Sequence, residues 1–321
     1  MHSRKRSRRN QYLINAGLIA AVWSIGRGAL WFALPQIIYS VTADLALVGL
    51  LISLPAMIGM LVDVPIGSLT DKLGRKRILT AGFTALTLLG LSAGFLDSTQ
   101  GIITFLVFLG VAEPAVFIPL IAYVMDRAPL RKASSILGAE MSMVQFGFAL
   151  GPLLMGFLLS LTGASTATIA AVMVSTTCLM GLAFTHLLIR EKTSIQGLLS
   201  GLRDTLVKDR VYVKAYTDLK RLKGAGLLIL STTLLLSLFD GLFWTLQPLF
   251  YRQATQSHIL GGIMLAAFVA PLVLFELPAG ALADRHGRGK VLSMGLVFAG
   301  ISTWLFSLSL NPYMMILAAF T

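Results

Sequence analysis

Nine apolar runs, each long enough to cross a bilayer, constrain this chain more than any other feature. They cover residues 14–40, 46–70, 78–96, 102–125, 133–160, 166–188, 225–251, 257–281 and 290–309. A hydrocarbon core of about 30 Å needs roughly 20 apolar residues per helix. Backbone in lipid must satisfy its own hydrogen bonds, and barrel strands would alternate polar and apolar residues, which these runs do not. The sequence therefore predicts an all-α multi-pass membrane protein, with its longer helices tilted. A tenth run starts at Pro312 and reaches Thr321. Composition agrees: only 12% of residues are charged, against about 25% in soluble domains.

The positive charges set the expected orientation. The net charge is +12, yet twenty-four of the 26 Lys and Arg fall in alternate loops. These are the N-terminal tail and residues 71–77, 126–132, 189–224 and 282–290. Arg252 alone lies in an opposite loop, and Arg27 lies inside a span. The positive-inside rule then places the N-terminus in the cytoplasm of a cell membrane, plasma or inner. Loops facing anionic headgroups explain the net charge without a nucleic-acid partner. Residues 1–12 read as a basic cytoplasmic tail and 13–188 as a six-helix bundle. Residues 189–224 read as a cytoplasmic linker, with an interfacial helix around Ile195–Tyr216, and 225–321 as a second, incomplete bundle. The single cysteine, Cys178, sits in an apolar run and reads as a small buried hydrophobe.

The two halves repeat at an offset of 213 residues. Gly28 aligns with Gly241, Trp31 with Trp244, Pro35 with Pro248, Gly49 with Gly262 and Gly82 with Gly295. Between them, Asp63-Val-Pro-Ile-Gly-Ser-Leu-Thr-Asp-Lys-Leu-Gly-Arg aligns with Glu276-Leu-Pro-Ala-Gly-Ala-Leu-Ala-Asp-Arg-His-Gly-Arg. Shared apolar composition would align Leu with Leu, not Pro, Gly, Asp and Arg in register. Such repeats mark transporters whose site lies between the halves at mid-membrane.

Both copies resemble the loop motif G-x-x-x-D-R-x-G-R-R/K of the major facilitator superfamily. The first is Gly67, Asp71, Lys72, Gly74, Arg75, Lys76, and the second is Gly280, Asp284, Arg285, Gly287, Arg288, Gly289. The resemblance implies two six-helix bundles, here nine full spans and part of a tenth. It also implies a loop that latches the bundles in one alternating-access state. Gly67 and Gly280 are expected to permit close helix approach. Asp71 and Asp284 are placed to meet a basic loop or a neighbouring helix N-terminus. Lys72, in place of Arg, should bond less rigidly. Asp126 matches the acidic end of the family's fourth helix, a candidate partner for Arg75. The fifth helix carries Gly138, Gly147, Gly151, Pro152 and Gly156, similar to the family's antiporter motif, with Met155 replacing one glycine. That helix is associated with exporters. Leu106 stands four residues before Gly110, where the family often has Arg, so the proton role of that Arg has no carrier here.

Ionisable groups within spans are functional by default. Counting residues at about 1.5 Å each puts Arg27, Glu113 and Asp240 near one mid-membrane plane. Arg27 is expected to be held by Glu113 or Asp240, leaving the other acid to carry a proton or meet a cationic substrate. Asp63, Glu140 and Glu276 form a second layer nearer the cytoplasm, and Glu140 with Glu276 reads as a proton-sharing inner gate. Trp31, Trp244, Gln36, Gln247, Tyr39 and Tyr123 are candidate cavity residues. His186 reads as interfacial.

The function expected is secondary active transport, proton-coupled export of small amphipathic molecules. Uptake symport of a small metabolite, and a non-transporting sensor or transporter fragment, are the alternatives. No Ser-His-Asp set, H-E-x-x-H or phosphate loop is present, so an enzyme, a cofactor and a metal site are not expected. The expected partners are the substrate, protons and the bilayer, with the complete protein a monomer. By the repeat, Thr321 corresponds to residue 108, which predicts a chain that stops within its tenth helix and does not transport alone.

Overall fold

The computed structural model describes residues 2–129, 132–189, 212, 217, 220, 224–255 and 257–307. Side chains of residues 2–10 and of scattered positions from 225 onward lie outside that description. The expected linker helix around 195–216 and the tenth run from Pro312 also lie outside the described residues, Tyr212 excepted.

Among the described residues, nine helices follow one another. They are α1 (His2–Thr42), α2 (Leu45–Leu73), α3 (Arg75–Ser92, with a short 3-10 turn after it) and α4 (Thr99–Met125). Then come α5 (Ala133–Thr162), α6 (Thr166–Leu188), α7 (Ala225–Thr255), α8 (His258–His286) and α9 (Arg288–Ser307). Eight are long and apolar enough to cross a membrane, and α9 contributes a shorter apolar stretch, Gly289–Ser302. The tail expected to precede the first span is helical and continuous with α1.

The boundaries follow from local chemistry. Asp44 caps α2, accepting from the N–H groups of Ala46 and Leu47, and Ser165 caps α6 through Thr168 N–H. The expected loops after α2 and α8 shrink to single glycines. Gly74 (φ 92°, ψ 149°) and Gly287 (φ 94°, ψ 138°) sit where only glycine is comfortable, and each turns one helix directly into the next. The α4 helix has two segments, Thr99–Ala112 and Pro114–Met125. Pro114 has no N–H, so the ladder is interrupted there and Glu113 stands at the break.

Helices α1 to α6 share a core that includes Ile19, Trp23, Phe32, Val48, Leu79, Phe83, Leu106, Tyr123, Val144 and Val174, all buried. The outward faces carry Leu88, Phe95, Phe157 and Leu187, as a lipid-facing surface requires. Small residues let backbones meet. A methyl on Gly82 would lie 2.7 Å from the Ala115 carbonyl, and one on Gly110 2.7 Å from that of Pro55. Lys76, though basic, is buried. Its Nζ donates to the carbonyls of His186 (3.2 Å) and Ile189 (2.7 Å), closing the C-terminus of α6. Cys178 is buried in the same core.

The second half docks through α8, which lies along α5, while α7 packs beside α1. At α5, glycines serve both neighbours. Gly147 and Gly151 face α1 and meet the carbonyls of Ala21 and Ile25. Gly138 and Gly156 face α8 and meet the carbonyls of Glu276 and His258. From α8, Gly262 and Gly280 return the contact against the Pro152 and Ser134 carbonyls.

Candidate functional site

A cavity of about 1170 Å³ lies between the two halves, walled by α1, α2, α4, α5, α7 and α8. The three charges placed at one depth by residue counting all line it, with Arg27 on α1, Glu113 on α4 and Asp240 on α7. The structure resolves the pairing that sequence left open. Arg27 Nε donates to Glu113 Oε1 at 3.0 Å, with the two side chains 29% and 15% exposed. The same oxygen accepts from the Trp31 indole N–H at 3.5 Å. Asp240 instead accepts from Trp244, one helical turn along, at 2.9 Å. Trp31 and Trp244 are repeat partners, and in both halves the indole N–H is turned to a carboxylate.

Aromatic rings hold these groups. The Arg27 guanidinium lies 5.1 Å from the Phe148 ring centre and 5.6 Å from that of Trp23, a cation held by two faces as well as by an acid. Phe148 touches Trp244 at 4.8 Å between centroids, and Trp244 meets Phe268 edge-on at 6.0 Å. A continuous line therefore runs from Glu113 through Arg27, Phe148 and Trp244 to Asp240, crossing from the first half to the second. Sequence reading missed Trp23, Phe148, Phe268 and Gln145. Trp23 was findable, being one turn before Arg27, and Phe148 lies between the glycines of α5.

Several expected cavity residues lie elsewhere. Gln36 is buried and bonds to the Phe32 carbonyl within its own helix (3.0 Å), and buried Gln247 is not part of the lining either. Tyr39 packs against the core of α1, and Tyr123 is buried under Arg127, whose guanidinium lies 3.7 Å from its ring centre. All four are wholly or partly buried and do not border the cavity. Exposed His186 is in the last turn of α6.

The expected inner gate does not assemble. Asp63 lines the cavity wall on α2. Glu140 is 4% exposed and faces α1, its carboxylate 3.8 Å from where a Gly17 methyl would be. Glu276 belongs to the opposite seam, its backbone against Gly138. Glu140 lies two positions after Gly138, about 200° around the helix, so it points away from α8.

The two loop motifs take different partners. Arg75 pairs with Asp126 at 3.0 Å and with Asp71 at 2.8 Å, and donates to the Thr70 carbonyl at 3.0 Å. All of these lie in the first half. Asp284 reaches across the seam, accepting from Ser135 N–H at 3.0 Å and Ser135 Oγ at 2.6 Å, in the first turn of α5. Gly280 makes the close approach expected of it, whereas a methyl on Gly67 would meet nothing within 4 Å among the described residues. Arg285 is exposed, and the side chain of Arg288 lies outside the described residues. No cluster of three or more metal-ligating side chains occurs among the described residues.

The chain is similar in fold to several solved transporters. One is the human organic anion transporter MFSD10, 17% identical, covering 97% of this chain and 84% of that one at a TM-score of 0.68. Another is a D-xylose-proton symporter, 15% identical, covering 96% and 78% at 0.64. A third is the E. coli xylose transporter XylE in an inward-open conformation, 14% identical, covering 96% and 79% at 0.56. No curated protein matches the chain in sequence. The family profile of the Major Facilitator Superfamily matches residues 16–227 and 229–321, nearly the whole length. The cavity between two repeated halves thus belongs to a multi-pass membrane protein, and the chain is a member of the Major Facilitator Superfamily.

Proposed function

We propose that the protein is a secondary active transporter that works by alternating access and exports small amphipathic molecules in exchange for protons. The observation that carries this reading is the mid-membrane cavity. It is large, mostly aromatic and aliphatic, and holds a carboxylate, Asp240, that forms no direct ion pair among the described residues. Asp240 is the group assigned to exchange, because Glu113 is committed to Arg27. A carboxylate facing a mostly apolar cavity can release its proton when a substrate or water enters, and take one up when they leave. The glycine seam between α5 and α8 supplies smooth surfaces that can part, and Asp284 on Ser135 latches its basic end. The glycines of α5 favour export over uptake by their resemblance to the antiporter motif. Residues 13–188 form the first bundle and 225–321 belong to the second, with 189–224 as linker. The positive loops place the N-terminus in the cytoplasm of a cell membrane. The complete protein works as a monomer, and no enzymatic chemistry is assigned to it.

The test is flux in proteoliposomes under an imposed pH gradient. Wild-type protein should accumulate or expel an amphipathic dye with the gradient. Asp240→Asn should still equilibrate the dye while losing the response to the gradient. Unchanged coupling in that variant removes the exchange role.

A further inference from the structure

The charges lining the cavity do not balance. Arg27 is the basic residue of the lining, and it faces three acids: Glu113, Asp240 and Asp63. Glu113 accounts for Arg27 at 3.0 Å. Neither Asp240 nor Asp63 has an ion-pair partner among the described residues, and both are exposed to the space they border. Arg27 also acts on Asp240 without a direct ion pair, so with its acids ionised the lining carries three negative charges against one positive and attracts a cation.

The walls match that charge. Trp31 and Trp244 border the space, and Phe268 adds a third ring on the α8 side. Aromatic faces attract cations, and the indole N–H of Trp244 fixes the Asp240 carboxylate beside its own ring. The site already shows this chemistry in Arg27, a side-chain cation held by an acid and two rings. An anionic ligand would find the guanidinium taken up by Glu113 and two carboxylates opposing it. The volume, about 1170 Å³, exceeds the roughly 300–1,000 Å³ of ordinary ligand pockets and admits a bulky body behind the charge.

We infer that the cavity is selective for amphipathic organic cations, with Asp240 as the primary counter-charge and Asp63 as a second one along α2. This rests on the transport reading above and narrows its substrate class. It separates this chain from its structural neighbour that carries organic anions.

Two ions of like shape and opposite charge test it: tetraphenylphosphonium and tetraphenylborate. Each is titrated by equilibrium dialysis against the full-length protein in detergent, with Asp240→Asn, Asp240→Glu and the Asp63→Asn/Asp240→Asn double variant. Comparing variants removes partition into the micelle. Asp240→Asn should weaken phosphonium binding about tenfold, one partly hydrated charge contact. The double variant should weaken it further and bind borate more tightly than wild type, a gain that misfolding does not produce. Asp240→Glu should keep the phosphonium. Phosphonium binding at wild-type strength in the double variant overturns the inference, as does borate binding by the wild type that both substitutions leave unchanged. Flux measurements separate this from the transport reading. Phosphonium bound but not carried in proteoliposomes leaves the cation site standing and removes transport. Neutral or anionic compounds carried with phosphonium excluded leave transport standing and remove the cation site.

Discussion

Asp71 lies in the last turn of α2 and Asp284 in the last turn of α8, at the same position of the repeat. The first pairs with Arg75 inside its own half, and the second crosses to Ser135 in the other half. The difference extends along both helices. Gly262 and Gly280 press on α5 carbonyls, while Gly49 and Gly67, their repeat partners, meet nothing within 4 Å among the described residues. The backbones still agree, down to Gly74 and Gly287 at φ 92° and 94°. A repeated sequence thus sets the local chain path, and what packs against each copy sets its task. The mid-membrane site shows the same rule, because Arg27 and Asp240 occupy one repeat position with opposite charges.

The largest expected effect separates those two charges. Glu113→Gln removes the direct ion-pair partner of Arg27 and leaves the more distant Asp240 as its nearest acid in the lining. It should cost about 2 kcal/mol, below the roughly 3–5 kcal/mol of a fully buried pair because the cavity admits water. Asp240→Asn breaks no ion pair and keeps an oxygen for Trp244, so stability should change by less than about 0.5 kcal/mol. Thermal unfolding in detergent reads both. Equal losses would mean that all three groups form one network. The turns supply the opposite kind of test, a place where the copies must agree. Gly74→Ala and Gly287→Ala each force a Cβ into a conformation reserved for glycine, at about 1–3 kcal/mol apiece. Destabilisation in one copy only would show that the shared backbone is not needed in the other.

What sequence could show follows from this rule. Spans, turns and repeat register were legible because lipid demands long apolar helices and glycine marks positions that other residues resist. The three mid-membrane charges were legible by counting residues, since rise per residue converts directly to depth. Rotation about the helix axis was not. Glu140 shares a depth with Glu276, yet faces α1, and Gln36 turns its amide to its own backbone. Phe148 was hidden for the converse reason. An aromatic in an apolar helix carries no signal until the ring of Trp244 and the guanidinium of Arg27 are seen on either side of it.

The glycine seam gives the next contrast. Gly280→Leu must push α8 away from the Ser134 carbonyl, 2.7 Å from where its first carbon would be. Overpacking of this kind costs about 1–3 kcal/mol, and here it should also part the seam. Disulfide trapping between cysteines at Ser135 and Asp284 should slow in that variant. Gly67→Leu enters open space and should leave both stability and trapping unchanged. A comparable loss from Gly67→Leu would show that α2 is covered as tightly as α8.

The smallest expected difference lies between the two aspartates. Asp284 acts as a borrowed cap for α5, taking one backbone N–H and one hydroxyl from Ser135. Loss of a helix cap costs about 1 kcal/mol, so Asp284→Ala should fall near that value. Asp71 is 71% exposed and pairs with Arg75, which keeps Asp126 and the Thr70 carbonyl when Asp71 is removed. An exposed pair with a substitute partner is worth only a few tenths of a kcal/mol, on the order of 0.3 for Asp71→Ala. Ser135→Ala sharpens the comparison. It removes the hydroxyl at 2.6 Å and keeps the backbone donor at 3.0 Å, so it should cost about half of Asp284→Ala. In the Ser135→Ala background, Asp284→Ala should lose correspondingly less and Asp71→Ala should be unaffected, because the two aspartates share no partner. Coupling between Asp71 and Ser135 in that cycle would mean that the latch spans both copies and not the second alone.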